Sequence, residues 1–389
     1  MLAKESGTAP TLISLIPFLW GRKGHMYGYH LSVGRSARIL GWKYRAAIAT
    51  ADTFSDLPED WKACLDTDSL EAPGIRKILV LPLFFAVYRF ARSISRYLAD
   101  LELIDTSTKI LFLERVNPYQ LLAVTLSVSF VPRKNILVWL LYRHRPDANN
   151  RHKHIYRYLN RAISNRLGKQ FQLLTDSELL KVSLSQFFNL PVTVMPVPHT
   201  LINPPEPHPI RPSEVICWWA GPPREAKGWQ IIRNLLTVVT PAANSIQLVA
   251  AKSSNLTTKT GGMKLELVDD ALSPAEYAKW LFKTDIILLP YDAYFYREET
   301  SGIFIEAIVA GKFPLVSDNT WMSFELRKYE LQELIVDWQK PELLSFIAGI
   351  QKRDDLRGKI DSMRDNYSQY HNETAYATSM MELYNAPPI

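Results

Sequence analysis

A chain of 389 residues, 47% hydrophobic and 22% charged, has the make-up of a globular protein and exceeds what a single core usually supports, so two domains are the default. Its two cysteines, Cys64 and Cys217, lie far apart without metal-ligand spacing, which argues against a disulfide framework or a zinc site and fits a reducing cytosol. The net charge of +6 hides an asymmetry: about 16 Lys or Arg face about 5 Asp or Glu between Arg76 and Arg166, and the rest of the chain is slightly acidic.

In chain order, the apolar stretch from Thr11 to Trp20 follows a polar, acidic lead-in and precedes no small-residue cleavage site. It reads as a first buried strand rather than a signal peptide. No run reaches the roughly 18 apolar residues that span a bilayer, so a cytoplasmic protein is expected, soluble or peripheral at the inner face of a membrane. Next comes "GRKGHMYGYHLSVGRSARILGW", with Gly24, Gly28 and Gly34. Its spacing is not the dinucleotide fingerprint; the glycines enter or line a helix, and the stretch reads as a loop facing a ligand cleft, with Gly24 and His25 as substrate contacts.

Short aliphatic runs alternate with helical patterns from there on, the signature of parallel sheets covered by helices. Strands are predicted at Leu12 to Ile16, Tyr44 to Ala49, Ile110 to Leu113, Ile136 to Leu141, Phe171 to Leu174 and Val192 to Val197. "ILVLPLFFAVYRFARSISRYL", Ile78 to Leu98, sets Arg89, Arg92 and Arg96 at helical spacing behind an apolar run. It reads either as an interfacial helix on an anionic membrane or as a core element whose arginines face water. The basic half lacks the aromatic spacing of RNA-binding modules and any DNA-reading motif, so no nucleic acid is expected, and a solvated basic face stays open as the plain alternative.

Six prolines between Pro196 and Pro209 interrupt regular structure and mark a linker. Strands resume at Val215 to Ala220, Ile246 to Ala250, Leu265 to Val268, Ile286 to Leu289 and Pro314 to Val316, giving a second α/β domain. The expected division is 1–203 and 204–364, with a helix from about 365 to 389 free to return to the first domain. Ligands bind such sheets outside the carboxyl ends of the strands, so chemistry belongs in the loops that follow them.

Two such loops stand out. After "DIILLP", the run Tyr291 to Ser301 leads into a helix, Gly302 to Ala310, that is apolar on nearly every face yet holds Glu306 in its middle. A buried carboxylate needs a partner, a task or a route to solvent. Thr300 or Ser301 can cap this helix, and Gly302 lets the amides of Gly302 and Ile303 approach an anion closely, a phosphate seat. Glu306 lies one turn further along the same face, where a ribose diol would be a natural partner; Glu298, in the preceding loop, could reach the ligand's other side. In "VICWWAGPPREAKGWQIIRNLL", Arg224 and Lys227 stand at a strand-to-helix turn, suited to a diphosphate. The plain alternatives are a helix-edge carboxylate reaching water and an ordinary surface pair. His25 and His144 follow predicted strands and read as acceptor contacts or proton carriers, or as packing histidines.

These stretches resemble the GT-B glycosyltransferases of family 4. The layout matches along the whole chain, and the motifs match from Val215 to Trp321. In that family two glutamates with seven residues between them flank a glycine-containing helix start, as Glu298 and Glu306 do here, and "EAIVAGKFPLVSD" looks like the run that follows. Gly221 and the Lys227–Gly228 pair look like the diphosphate turn. The arginine that usually follows the first glycine is displaced to Arg224 by Pro222 and Pro223, and "Thr-Ser-Gly" replaces the common Glu-Gly-Phe-Gly phrase.

The resemblance implies an α/β GT-B fold, two Rossmann-like domains with a cleft between them. It also implies retaining transfer of a sugar, of hexosyltransferase type, from a nucleotide-diphosphate sugar to a glycan or lipid-linked acceptor in polysaccharide or glycoconjugate assembly. No metal and no cofactor beyond the donor are implied. Asp66 and Asp68 have the spacing of metal-dependent glycosyltransferases of the other fold, but lie far from any phosphate feature and read as a turn. A non-catalytic glycan- or partner-binding protein and a nucleotide-sugar epimerase share the architecture and stay open.

Overall fold

The computed structural model describes residues 9–19, 25–50, 57–67, 80–129, 131, 135–146, 152–200 and 214–386. The chain forms two compact units, 1–198 joined by 373–389, and 199–372. Each is an α/β unit on a wholly parallel sheet.

The first unit holds β1 (Thr11–Ile16), β2 (Lys43–Ala49), β3 (Trp61–Leu65), β4 (Lys109–Glu114), β5 (Ile136–Leu141), β6 (Phe171–Thr175) and β7 (Val192–Val194), in the order β3-β2-β1-β4-β5-β6-β7. Helices cover both faces, so the strands at the centre of the sheet are buried along their whole length: "TLISLI" of β1 is buried at all six positions. One face carries the helices Val80–Ile104, Pro118–Ser129, Lys153–Leu167 and Glu178–Phe188 around Phe90, Leu121, Ile163 and Leu184. The other is covered by His25–Ile39 and by the chain's last helix, Glu373–Asn385. Those two helices are joined by Tyr29 and Tyr376, whose hydroxyls are 3.1 Å apart, and by Arg35 on Glu373 at 2.6 Å.

The second unit holds β8 (Val215–Trp218), β9 (Ile246–Ala251), β10 (Lys264–Val268), β11 (Ile286–Leu289) and β12 (Phe313–Val316), ordered β10-β9-β8-β11-β12. Pro314 is accommodated because β12 is an edge strand, where a missing donor costs no ladder bond. The helix Asp354–Tyr370 packs on Gly302–Val309 and stays with this unit, through Arg357 on the Gly311 carbonyl at 2.6 Å. The chain rejoins the first unit only at Glu373.

Strand order reverses between β1 and β4 in the first sheet and between β8 and β11 in the second. At such a switch point the two following loops diverge to opposite faces and leave a crevice at the carboxyl ends. The Gly221 and Tyr291 loops flank the second switch point. No helix among the described residues is long and apolar enough to cross a membrane.

Candidate functional site

The loop after β8 is held by backbone geometry. Trp219 is buried, and its Nε1 donates to the Lys227 carbonyl at 3.0 Å, while the Asp292 amide donates to the Ala226 carbonyl at 3.0 Å. Between the short turn Glu225–Lys227 and the helix Trp229–Leu235 sits Gly228, at φ +79°; a Cβ there would fall 2.2 Å from the Pro290 carbonyl oxygen. Only glycine permits both that angle and that approach. The β8 loop is thereby locked against the residues that follow β11.

Locking fixes where the cation goes. Lys227 Nζ lies 5.4 Å from the centre of the Tyr291 ring, and a Cβ on Gly221, itself at φ +85°, would stand 3.4 Å from it. Tyr291 is buried, and burial drives its phenol pKa upward, opposed by a hydrogen bond with the Ser301 side chain and by the charge of Arg224. Tyr291 therefore ties the cationic turn to the helix start. Its ring also leans on Tyr296, with centres 4.4 Å apart. Arg224 is exposed and makes no ion pair among the described residues.

Ser301 occupies the position before the helix Gly302–Val309, and its carbonyl accepts from Phe304 at 3.1 Å and Ile305 at 3.2 Å. Its hydroxyl, expected as a cap, makes no capping bond, and the Ser301 side chain instead opposes the rise in the Tyr291 pKa. Thr300, Gly302 and Ile303 are half-buried. A Cβ on Gly302 would meet nothing within 4 Å, so packing does not demand glycine here; the helix start borders open space. The first amides of a helix carry partial positive charge, and open space before them suits an anion.

Glu306 now has its explanation. The rest of its helix is core, with Phe304, Ile305, Ala307 and Ile308 fully buried, and the half-buried carboxylate accepts a hydrogen bond from the Tyr277 hydroxyl on the helix Pro274–Lys283. Burial pushes its pKa up to about 7, and the Tyr277 bond works against that rise. Tyr277 packs in turn on Trp218 at the end of β8, with ring centres 5.2 Å apart. Neither Tyr277 nor Tyr291 stands out in the sequence; Tyr291, two residues past β11, was findable by its place after a strand.

Lys227, Arg224 and Ser301 thus stand about Tyr291, with Gly221 beside Lys227, Gly302 next to Ser301, Glu298 half-buried in the same loop and Glu306 one helical turn beyond Gly302. His144 belongs to the first unit, three residues after β5, half-buried, with its pKa lowered by desolvation and then by the Arg115 charge. Gly24 and the His25 side chain lie outside the described residues. So does Asp68, while Asp66 receives Arg89 at 3.8 Å. Among the described residues no three His, Cys, Asp or Glu side chains gather as a metal site would require.

Sequence reasoning also missed a charged cluster at the carboxyl ends of β4, β5 and β6. Arg143 bonds to both Glu114 and Asp176 and lies 4.7 Å from the centre of the Tyr29 ring. His30 Nδ1 is 3.0 Å from the Ser14 hydroxyl, and its Nε2 is 3.8 Å from Glu114. Glu114, Asp176 and His30 are each at most 5% exposed.

No family model matches the chain, and none of the curated proteins does. Solved structures do. Sucrose-phosphate synthase from Thermosynechococcus elongatus aligns over 97% of this chain and 98% of its own, at TM-score 0.62 and 14% identity. A trehalose-6-phosphate protein from E. coli, bound with UDP-2-fluoro glucose, aligns over 97% and 100% at TM-score 0.63 and 10% identity. The glycosyltransferase SnogD from Streptomyces nogalater aligns over 97% and 99% at TM-score 0.52 and 13% identity. The fold shared with them is the GT-B arrangement of two Rossmann-like domains.

Proposed function

We propose that this chain is a glycosyltransferase of the family 4 type, moving a sugar with retention from a nucleotide-diphosphate sugar held by the second unit to a glycan or lipid-linked acceptor on the first. The reading rests on one observation: Tyr291 joins Lys227 and the Ser301–Gly302 helix start beside a single switch point. Loss of the diphosphate is the charge-developing step, and a lysine, an arginine and helix amides are parts that stabilise it. Glu306 takes the donor ribose hydroxyls in place of Tyr277, and Glu298 orients the transferred sugar. His144, whose pKa is lowered by burial and then by the Arg115 charge, can accept the acceptor hydroxyl's proton. The reading requires no metal and no cofactor besides the donor.

Titration calorimetry with uridine, adenosine and guanosine diphosphates and their sugars tests it. The expected result is micromolar binding of one nucleotide, weakened by Lys227→Ala and by Glu306→Ala; unchanged affinity in both variants refutes the assignment. Slow hydrolysis of a single nucleotide sugar supports transfer. Interconversion of two sugars identifies an epimerase, and binding without turnover a binding module.

A further inference from the structure

The helix Val80–Ile104 is amphipathic in an unusual way. One side enters the core through Phe90, Ile94, Tyr97 and Leu101. The other presents Phe84, 63% exposed, Phe85, 58%, and Tyr88, 51%, followed by the exposed Arg89, Arg92 and Arg96. At about 100° per residue these six positions fall within roughly 140° of arc. No acidic residue occurs from Val80 to Ala99.

The helix Lys153–Leu167, on the same side of the sheet, repeats the pattern without any acidic residue: Ile155 is 41% and Tyr158 73% exposed, beside exposed Arg161. Arg92, Arg96 and Arg161 form no ion pair among the described residues. Large aromatics grouped on a water-facing helix expose apolar surface that a partner would cover. Here each exposed apolar group is accompanied by arginines on its own helix.

We propose that this side of the first unit docks on an anionic lipid bilayer, with Phe84, Phe85 and Tyr88 seated at the headgroup boundary and Arg92, Arg96 and Arg161 on lipid phosphates. Tyr88 suits that depth because its ring is apolar and its hydroxyl polar, and Phe84 and Phe85 bury apolar area beside it. Arginines add the long-range attraction. A nucleic acid would satisfy the arginines but leave both phenylalanines in water. The contact is superficial, since no helix among the described residues could cross the membrane.

Flotation of the full chain with vesicles of phosphatidylcholine, alone or with about 30% phosphatidylglycerol, tests the surface at physiological salt. Recovery should be at least tenfold higher, roughly, on the anionic vesicles. The Phe84→Ser/Phe85→Ser/Tyr88→Ser variant and the Arg92→Glu/Arg96→Glu variant should each lose about that factor with an unchanged melting temperature. Val182→Ser, removing an exposed apolar residue of Glu178–Phe188, should lose nothing. Equal recovery on both vesicle types overturns the proposal. So does anionic binding that survives the aromatic substitutions, above all if single-stranded RNA competes it away. The vesicles carry no sugar donor, so the result is independent of the transferase reading.

Discussion

The two parallel sheets handle charge at their carboxyl ends in opposite ways. Where β4, β5 and β6 end, Arg143 is clasped by Glu114 and Asp176, all nearly sealed from water, so its charge is answered inside the fold. At the end of β8 and β11, Arg224 is exposed and Lys227 is half-buried over an aromatic ring, next to a helix start that borders open space. The lesson is one of solvent access. A guanidinium enclosed with two carboxylates is committed to the fold, whereas a cation at an open rim can exchange its contacts for those of an incoming anion.

The sharpest way to break this contrast is to remove the enclosed cation. Arg143→Met should cost about 3–5 kcal/mol in urea unfolding, because two buried carboxylates lose their counter-charge. A loss below about 1 kcal/mol would place the cluster in water and erase the distinction. Gly228→Ala should cost about 3 kcal/mol through the left-handed backbone and the collision with Pro290, and should abolish nucleotide binding with it.

At the open rim, the expected pattern inverts. Lys227→Ala should weaken nucleoside diphosphate binding by about 2 kcal/mol, roughly thirtyfold, while moving stability by less than about 0.5 kcal/mol. A large drop in melting temperature would instead make Lys227 a structural residue like Arg143.

The smallest effect concerns pH. Glu306 is raised to about 7 in the folded chain, above its ordinary value, so the contribution of its protonated form is complete at low pH and is lost as pH rises toward and through 7. Glu306→Gln, which mimics the protonated group, should therefore flatten the decline in stability between about pH 4.5 and 7.5 by about 1 kcal/mol, allowing for solvent at a half-buried residue. An unchanged slope would show that the carboxyl is effectively solvated.

Much of this was legible in one dimension. Buried parallel strands are continuous apolar runs, and Ile136–Leu141 and Ile286–Leu289 begin and end where the apolar pattern places them. β3, Trp61–Leu65, was not legible: "WKACL" is a short edge strand with mixed exposure, lacking both the apolar run and clean alternation. The predicted strand to Val197 stops at Val194, and the one to Ala220 stops at Trp218, since apolar residues continue past the last paired position. The site divides likewise. Glycines, cations and carboxylates near strand ends are visible by spacing, and so is the place of Tyr291 after β11, but the contacts that Tyr277 and Tyr291 make are not. Tyr277 lies 29 residues before the carboxylate it meets.

The sequence alone determined the alternation of strands and helices, the proline-rich interruption and the placement of Gly221, Lys227, Ser301 and Gly302 after strands, because each depends on burial patterns or backbone freedom within a few residues. Only the tertiary structure decided which polar groups answer one another. Strand order sets β4 beside β5 and β5 beside β6, which delivers Glu114 and Asp176 to Arg143, and it sets β8 beside β11, which delivers Tyr291 to Lys227. Charge pairing requires proximity in space, and the pairing of strands is what supplies it.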